Sequence, residues 1–283
     1  MSTTNYLKTA VLLGALTGIL VMMGQWAGGS VGMIFALGLA VVMNFSAYWF
    51  SDKIVLRMYK ASPVTASEAP RLHAITRNLV ARAGLPMPAL YVLPQDAPNA
   101  FATGRNPAHS AVAVTRGLMQ SMNDDELAGV VAHELAHIKN RDILTASIAA
   151  TIAGAVSMLA SMFQWMAIFG GGGHRDGEGA HPLALLGMAL IAPIAAGIVQ
   201  MSVSRSREYA ADATGAEIAG SPYGLASALE KLGRYSQRVP TRATAATSHM
   251  FIVMPLSLGQ FRGLFATHPP IEERIRRLVG GSR

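Results

Sequence analysis

His133-Glu134-Leu135-Ala136-His137 sets two imidazoles four positions apart, with a carboxylate beside the first. On a helix, positions i and i+4 share a face, so both rings can grip one ion. Glu134 is then placed to take a proton from water on that ion, which is the chemistry of metal-assisted peptide hydrolysis. Two histidines do not complete a catalytic zinc site, which usually takes three protein ligands and a water. The expected third ligand is Glu208. It opens Glu208-Tyr209-Ala210-Ala211-Asp212, a second i,i+4 pair of polar groups on an apparent helix. Asp212 is expected to accept a hydrogen bond from a ligand imidazole and so fix its tautomer and orientation. Cysteine is absent, which excludes disulfide scaffolds, thiolate-bound zinc and thiol nucleophiles.

These residues must be brought together by the elements around them. Asn123 is a good helix N-cap, and Glu126 three residues later completes a capping-box start. The helix that follows carries Leu127, Val130, Val131, Leu135 and Ile138 at helical spacing. A second amphipathic helix is expected over 67–83, with Leu72, Ile75, Leu79 and Val80 on one face and Gly84 as its stop. Residues 89–93 and 111–115 read as short strands, and 99–104 between them as an extended edge.

The remainder is strongly apolar. Charged residues make up 14% of the 283, against about 25% in an ordinary soluble domain, and mean hydropathy is +0.34. No Asp, Glu, Lys or Arg occurs over 9–51, 143–174 or 179–204. A membrane helix needs about 20 apolar residues, so four spans are expected, at about 8–27, 31–50, 145–169 and 183–203. Gly28, Gly29 and Ser30 would turn the first pair, and the glycine-rich loop 170–181 the second. A cleaved signal peptide fits poorly, because Lys8 stands alone before the apolar run. Lys8, Lys53, Arg57, Lys60, Lys139, Arg141, Arg205 and Arg207 would flank the spans on one side and only Arg175 on the other. The positive-inside bias therefore puts both termini and the polar segments in the cytoplasm. Trp26, Trp49 and Trp165 lie near expected span ends, where aromatic belts form.

That hairpin logic is what selects Glu208. The helix of His133 leads into the third span, and the fourth leads back into Glu208. Two antiparallel helices must return the chain to the side it left, with axes about 8–10 Å apart. The net charge of +7 and pI near 10.0 then fit contact with anionic lipid. No nucleic-acid-binding motif accompanies them, so no nucleic-acid partner is expected.

Of the other histidines, His268 lies in Thr267-His268-Pro269-Pro270, before a short charged helix from Ile271. It is either a loop residue ahead of a proline-started helix or a donor to a developing oxyanion. His249 is the competitor for that second role. His174 and His181 fall in the loop on the opposite side, and His73 and His109 have no supporting context. Asn140 and Asp142 are expected to cap the helix or be solvated rather than to brace the site.

At these motifs the chain resembles the HtpX-type membrane zinc metalloproteases, relatives of the zinc-dependent CAAX prenyl proteases. The resemblance rests on H-E-L-A-H-I-x-N-x-D from His133 to Asp142, S-R-E-Y-x-A-D from Ser206 to Asp212, and T-H-P-P from Thr267 to Pro270. It also rests on Asn99-Ala100-Phe101-Ala102-Thr103-Gly104 and the two apolar hairpins. It implies that His133, His137 and Glu208 bind one zinc ion and that Glu134 is the catalytic base. It implies that Asn99, Ala100, Phe101, Ala102, Thr103 and Gly104 form an edge strand aligning extended substrate, and that His268 contacts the transition state. The implied substrates are misfolded or damaged membrane proteins, cleaved at the cytoplasmic face of a bacterial inner membrane.

The expected fold is a mainly α membrane protein, with four transmembrane helices and a cytoplasmic zincin-like catalytic domain carrying a small β-sheet. Residues 1–51 form the first hairpin, 52–142 the first part of the catalytic domain, 143–204 the second hairpin, and 205–283 the rest of the catalytic domain. A peptidase dedicated to one lipidated peptide would need more spans around a chamber. A scaffold using zinc structurally would have no need of Glu134.

Overall fold

A computed structural model of the chain describes residues 3–153, 205–238 and 269–280. Helix α1, Thr3–Met58, is two helices folded back at Gly28 and Gly29, with Gly29 at φ 58. Glycine adopts that left-handed backbone without steric penalty. The limb Gly28–Met58 is long and apolar enough to cross a membrane, and only 11% of its most apolar window is buried. The first limb contributes a shorter apolar stretch, Leu7–Met22. Among the described residues, one helix therefore meets the criterion of length and hydropathy for a span, where four spans were expected. Of the second hairpin, only Ile143–Ala153 (α5) is described, and it is helical. Residues 154–204, which hold the rest of the third expected span, the loop and the fourth span, lie outside the described residues.

The second limb of α1 runs eight residues past its expected end at residue 50, because its last turns have something to pack on. Val55, Leu56 and Tyr59 bury themselves with Leu93, Phe101, Ala111 and Ala113 against one face of the sheet. That sheet has the order β1-β2-β4-β3, with β1 Ser62–Pro63, β2 Ala89–Leu93, β3 Ala100–Asn106 and β4 His109–Thr115. β2 runs parallel to β4, and β1 and β3 are antiparallel to their neighbours. β2, β3 and β4 were expected within a few residues of these bounds, and β3 is indeed an edge. Leu90, Ala100, Ala102, Val112 and Val114 point to the opposite face and join the main core. A sheet covered on both sides needs apolar residues at consecutive positions, as Ala111–Val114 supplies.

The main core is helical. α2 (Pro70–Ala83) starts on Pro70 and stops at the left-handed Gly84. It packs with the short α3 (Arg116–Ser121) and with α4 (Asp124–Lys139). α4 has the expected capping box: Asn123 Oδ1 accepts from the Glu126 amide, and the Glu126 carboxylate accepts from the Asn123 amide, each at 2.9 Å. Eleven of its residues are buried, so it runs through the centre of the domain rather than along its surface. α6 (Arg205–Ala219) and α7 (Tyr223–Arg238) pack on it, and α8 (Ile271–Gly280) packs on those two. Lys231 of α7 donates to Glu126 at 2.7 Å, and Ser227 does the same. α5 continues from α4 and packs Leu144, Ile148 and Ile152 on Leu12 and Leu16 of α1.

Candidate metal centre

α4 presents His133 and His137 on one face, with ring centroids 4.8 Å apart and planes at 87°. Their Nε2 atoms converge to 3.2 Å. α6 delivers Glu208 opposite them, with one carboxylate oxygen 3.7 Å from His133 Nε2 and the other 3.7 Å from His137 Nε2. One donor atom from each of the three lies within 4.8 Å of the other two. The helices meet closely because α6 carries Gly215 beside His133. A Cβ at Gly215 would sit 3.0 Å from the His133 Cα and amide nitrogen, tighter than side chains normally pack.

The other nitrogen of each ring faces a carboxylate. His133 Nδ1 is 3.0 Å from Asp212 Oδ1, though bent from the ideal hydrogen-bond line. His137 Nδ1 is 3.5 Å from Asp142 Oδ2. An ionised carboxylate only accepts, so these partners assign the ring protons to Nδ1 and leave both Nε2 lone pairs facing each other. Two lone pairs and a carboxylate oxygen aimed at one point suit a cation, so this donor set fits a metal ion. The surrounding carboxylates favour positive charge at this point, carried either by a cation or by a proton on His137. Burial alone would lower His137, but the Asp142 hydrogen bond and the charges of Glu208 and Glu134 raise its pKa to about 9. Glu134 is buried on the same helix.

Glu208 and Asp212 are 6% and 3% exposed, and both carboxylates face the histidine pair. Glu217, further along α6, is exposed. Asp142 corrects the expectation. It is 7% exposed and braces His137 instead of dissolving into solvent, because the backbone turns at Arg141, φ 58, and folds it back under α4. His73 binds the Val64 carbonyl at 2.9 Å, a structural role. His268, His249, His174 and His181 lie outside the described residues.

One residue of the centre was missed. Arg274 of α8 is fully buried and grips Asp212 with Nε to Oδ2 at 2.8 Å and Nη2 to Oδ1 at 2.7 Å. Burial opposes the pair, yet the Arg274 and His133 contacts hold the Asp212 carboxyl at about 2. The signal was present: Arg274 lies on the face shared by Ile271, Ile275 and Leu278.

β3 starts beside Asn99, whose carbonyl accepts from the Thr115 amide at 2.9 Å. By the alternation of an antiparallel ladder, Phe101 and Thr103 also turn to β4, and Ala100, Ala102 and Gly104 turn outward. The outward amide of Gly104 is already taken, donating to Ser147 Oγ of α5 at 3.2 Å. Ser147 also contacts the Thr103 hydroxyl at 2.7 Å. From Ala100 to Thr103 the strand is 0–7% exposed.

Over 279 residues the chain is 59% identical to a protein of Desulfatibacillum aliphaticivorans named "Protease HtpX homolog", covering 98% of this chain and 89% of that one. It is 57% identical to a protein of the same name from Desulforapulum autotrophicum, at 98% and 90% coverage. The crystal structure of S. mikatae Ste24p superposes with a TM-score of 0.53 at 19% identity, which is a likeness of fold. The match covers 97% of this chain and 64% of that longer one. The family model "Peptidase family M48" matches residues 66–281, a stretch that contains every residue of the centre described above. With two histidines and a glutamate converged on one point inside that stretch, the chain belongs to peptidase family M48 and is a metalloprotease.

Proposed function

We propose that the chain is a zinc-dependent endopeptidase of a bacterial cytoplasmic membrane. It cleaves misfolded or damaged membrane proteins at the cytoplasmic face. The observation that carries this reading is the convergence of His133 Nε2, His137 Nε2 and the Glu208 carboxylate on one point, beside buried Glu134. Those three groups are the zinc ligands. A zinc ion held there would supply Lewis acidity, lowering the pKa of a bound water to about 7 and polarising a scissile carbonyl.

The chain's own residues do the rest. The Glu134 carboxylate takes the proton from the attacking water and passes it to the amide nitrogen as the C–N bond breaks. Asp212 and Asp142 keep the two imidazoles in the tautomer that leaves Nε2 free. The edge strand from Asn99 to Gly104 aligns an extended substrate through its outward amides and carbonyls, which selects unfolded chains. Ala100 and Ala102 are the pairing positions, since the Gly104 amide is already engaged by Ser147. His268 supports the oxyanion. The exposed apolar limb Gly28–Met58 anchors the domain in the bilayer, with further spans supplied by the apolar runs that follow α4.

Purified, zinc-loaded protein in detergent is expected to cleave casein, to stop with a chelator, and to lose all cleavage in Glu134→Gln with zinc retained. Cleavage by Glu134→Gln at the wild-type rate removes Glu134 from the mechanism. Orientation is tested by single cysteines. A Cys at Gly172 is expected to react with an impermeant maleimide outside spheroplasts, and a Cys at Ser2 only after lysis. Labelling of position 2 from outside would reverse the topology.

A further inference from the structure

We propose that Arg274 is a positioning residue of the metal centre: it locks the Asp212 carboxylate that orients His133, and so makes the C-terminal helix α8 part of the metal site. The proposal rests on the reading of His133, His137 and Glu208 as the ligands.

Arg274 is 0% exposed and Asp212 is 3% exposed. Two parallel hydrogen bonds, 2.8 and 2.7 Å, fix the plane of the carboxylate. The same Oδ1 that Arg274 holds lies 3.0 Å from His133 Nδ1. A chain of contacts thus runs from α8 through α6 to the ring on α4 whose other nitrogen faces Glu208. Only a guanidinium has the planar fork this needs; an ammonium is a point charge with no preferred plane.

The competing explanation is a clamp that merely holds α8 to α6. The molecule shows what its clamps look like elsewhere. Lys231 bridges α7 to Glu126 of α4 with its own side chain 46% exposed, so it keeps much of its hydration. Burying a full ion pair costs more than such an arrangement, and apolar residues of similar size often hold helices equally well or better. α8 already offers Ile271, Ile275 and Leu278 to the core. A wholly buried arginine among them adds little cohesion. It adds a fixed direction for the one carboxylate that touches a ligand ring.

The test is zinc affinity of the full chain in detergent, by competition with a chromophoric chelator. Arg274→Met is expected to bind zinc about 10–100-fold more weakly, as for loss of a group that orients a ligand. Arg274→Lys is expected to fall between it and wild type. Asp212→Asn is expected to weaken binding too, and adding Arg274→Met to it is expected to change little further, because both act on His133 through one carboxylate. Lys231→Met, which breaks the ordinary clamp, is expected to lower the thermal midpoint and leave zinc affinity unchanged. The visible spectrum of the cobalt-loaded protein is expected to shift in Arg274→Lys, which a purely structural role would not produce. If Arg274→Met lacks helical circular dichroism, Arg274→Lys decides by the same two readings. Wild-type affinity and spectrum in a folded Arg274 variant would overturn the proposal, as would losses that multiply in the double variant. Failure of wild type to bind zinc would instead remove the ligand assignment, and this proposal with it.

Discussion

The N-terminal hairpin and the metal centre are both built from packed helices, yet they treat polar and apolar groups in opposite ways. In the limb Gly28–Met58, Ile34, Phe35, Val41 and Val42 are 62–77% exposed, and charge is absent until Asp52. Its polar content is small: Asn44 donates to Thr17 Oγ1 at 2.8 Å across the hairpin. Around the metal centre, His133, Glu134, Glu208, Asp212, Asp142 and Arg274 are all under a tenth exposed. The contrast follows from what surrounds each helix. A helix whose outside is apolar is stable where the solvent is lipid, and a helix that buries charge is stable only where each charge meets a partner.

That comparison can be broken at both ends. The largest effect is expected from Gly215→Leu. A side chain there drives into the His133 backbone and is expected to cost more than about 3 kcal/mol or prevent folding. Gly38 in the hairpin has nothing within 4 Å of its missing Cβ, and Gly38→Leu is expected to leave the thermal midpoint in detergent unchanged. Next comes Val41→Lys, on the same exposed face. If this surface meets lipid, a lysine near mid-helix costs about 3 kcal/mol and membrane recovery falls; a neutral outcome would mean that water bathes the limb. Smaller is Asn123→Ala, which removes the cap of α4 and is expected to cost about 1 kcal/mol by chemical denaturation.

The smallest effect is one of pH. Burial alone would raise the Glu126 carboxyl, but hydrogen bonds from Lys231, Ser227 and the Asn123 amide outweigh it and lower its pKa. A depressed carboxyl stabilises the fold above the ordinary carboxylate range and stops doing so as pH falls through its folded value. The gap in thermal midpoint between wild type and Lys231→Met is therefore expected to close as the solution is acidified. A gap that widens would contradict the pairing.

The sequence was most legible where chemistry and local geometry coincide. The spacing from His133 to His137 and the Asn123–Glu126 box both act within one helix, and both stand as read. Glu208 was reached by a longer route, the need of a helical hairpin to return, and it meets the histidines at 3.7 Å. Two residues whose surroundings depend on a backbone turn or on a distant helix were misread or missed. Asp142 looked like a solvated helix end because nothing local shows the backbone turning it back to His137. Arg274 sits in Ile-Glu-Glu-Arg-Ile-Arg-Arg, where type alone does not separate it from exposed Arg276 and Arg277; only its place on the apolar face does. The second limb was ended early because Asp52, Lys53 and Arg57 break the apolar run. The helix continues because Val55, Leu56 and Tyr59 found the sheet.

The ligand set is tested most directly by the zinc content of purified variants, measured by mass spectrometry. Glu208→Ala is expected to lose its zinc, Asp212→Ala to hold it more weakly, and Glu217→Ala, altered at an exposed site on the same helix, to match wild type at one zinc per chain. Full occupancy in Glu208→Ala would show that another residue completes the site, and that the point where α4 and α6 meet is not where the metal is held.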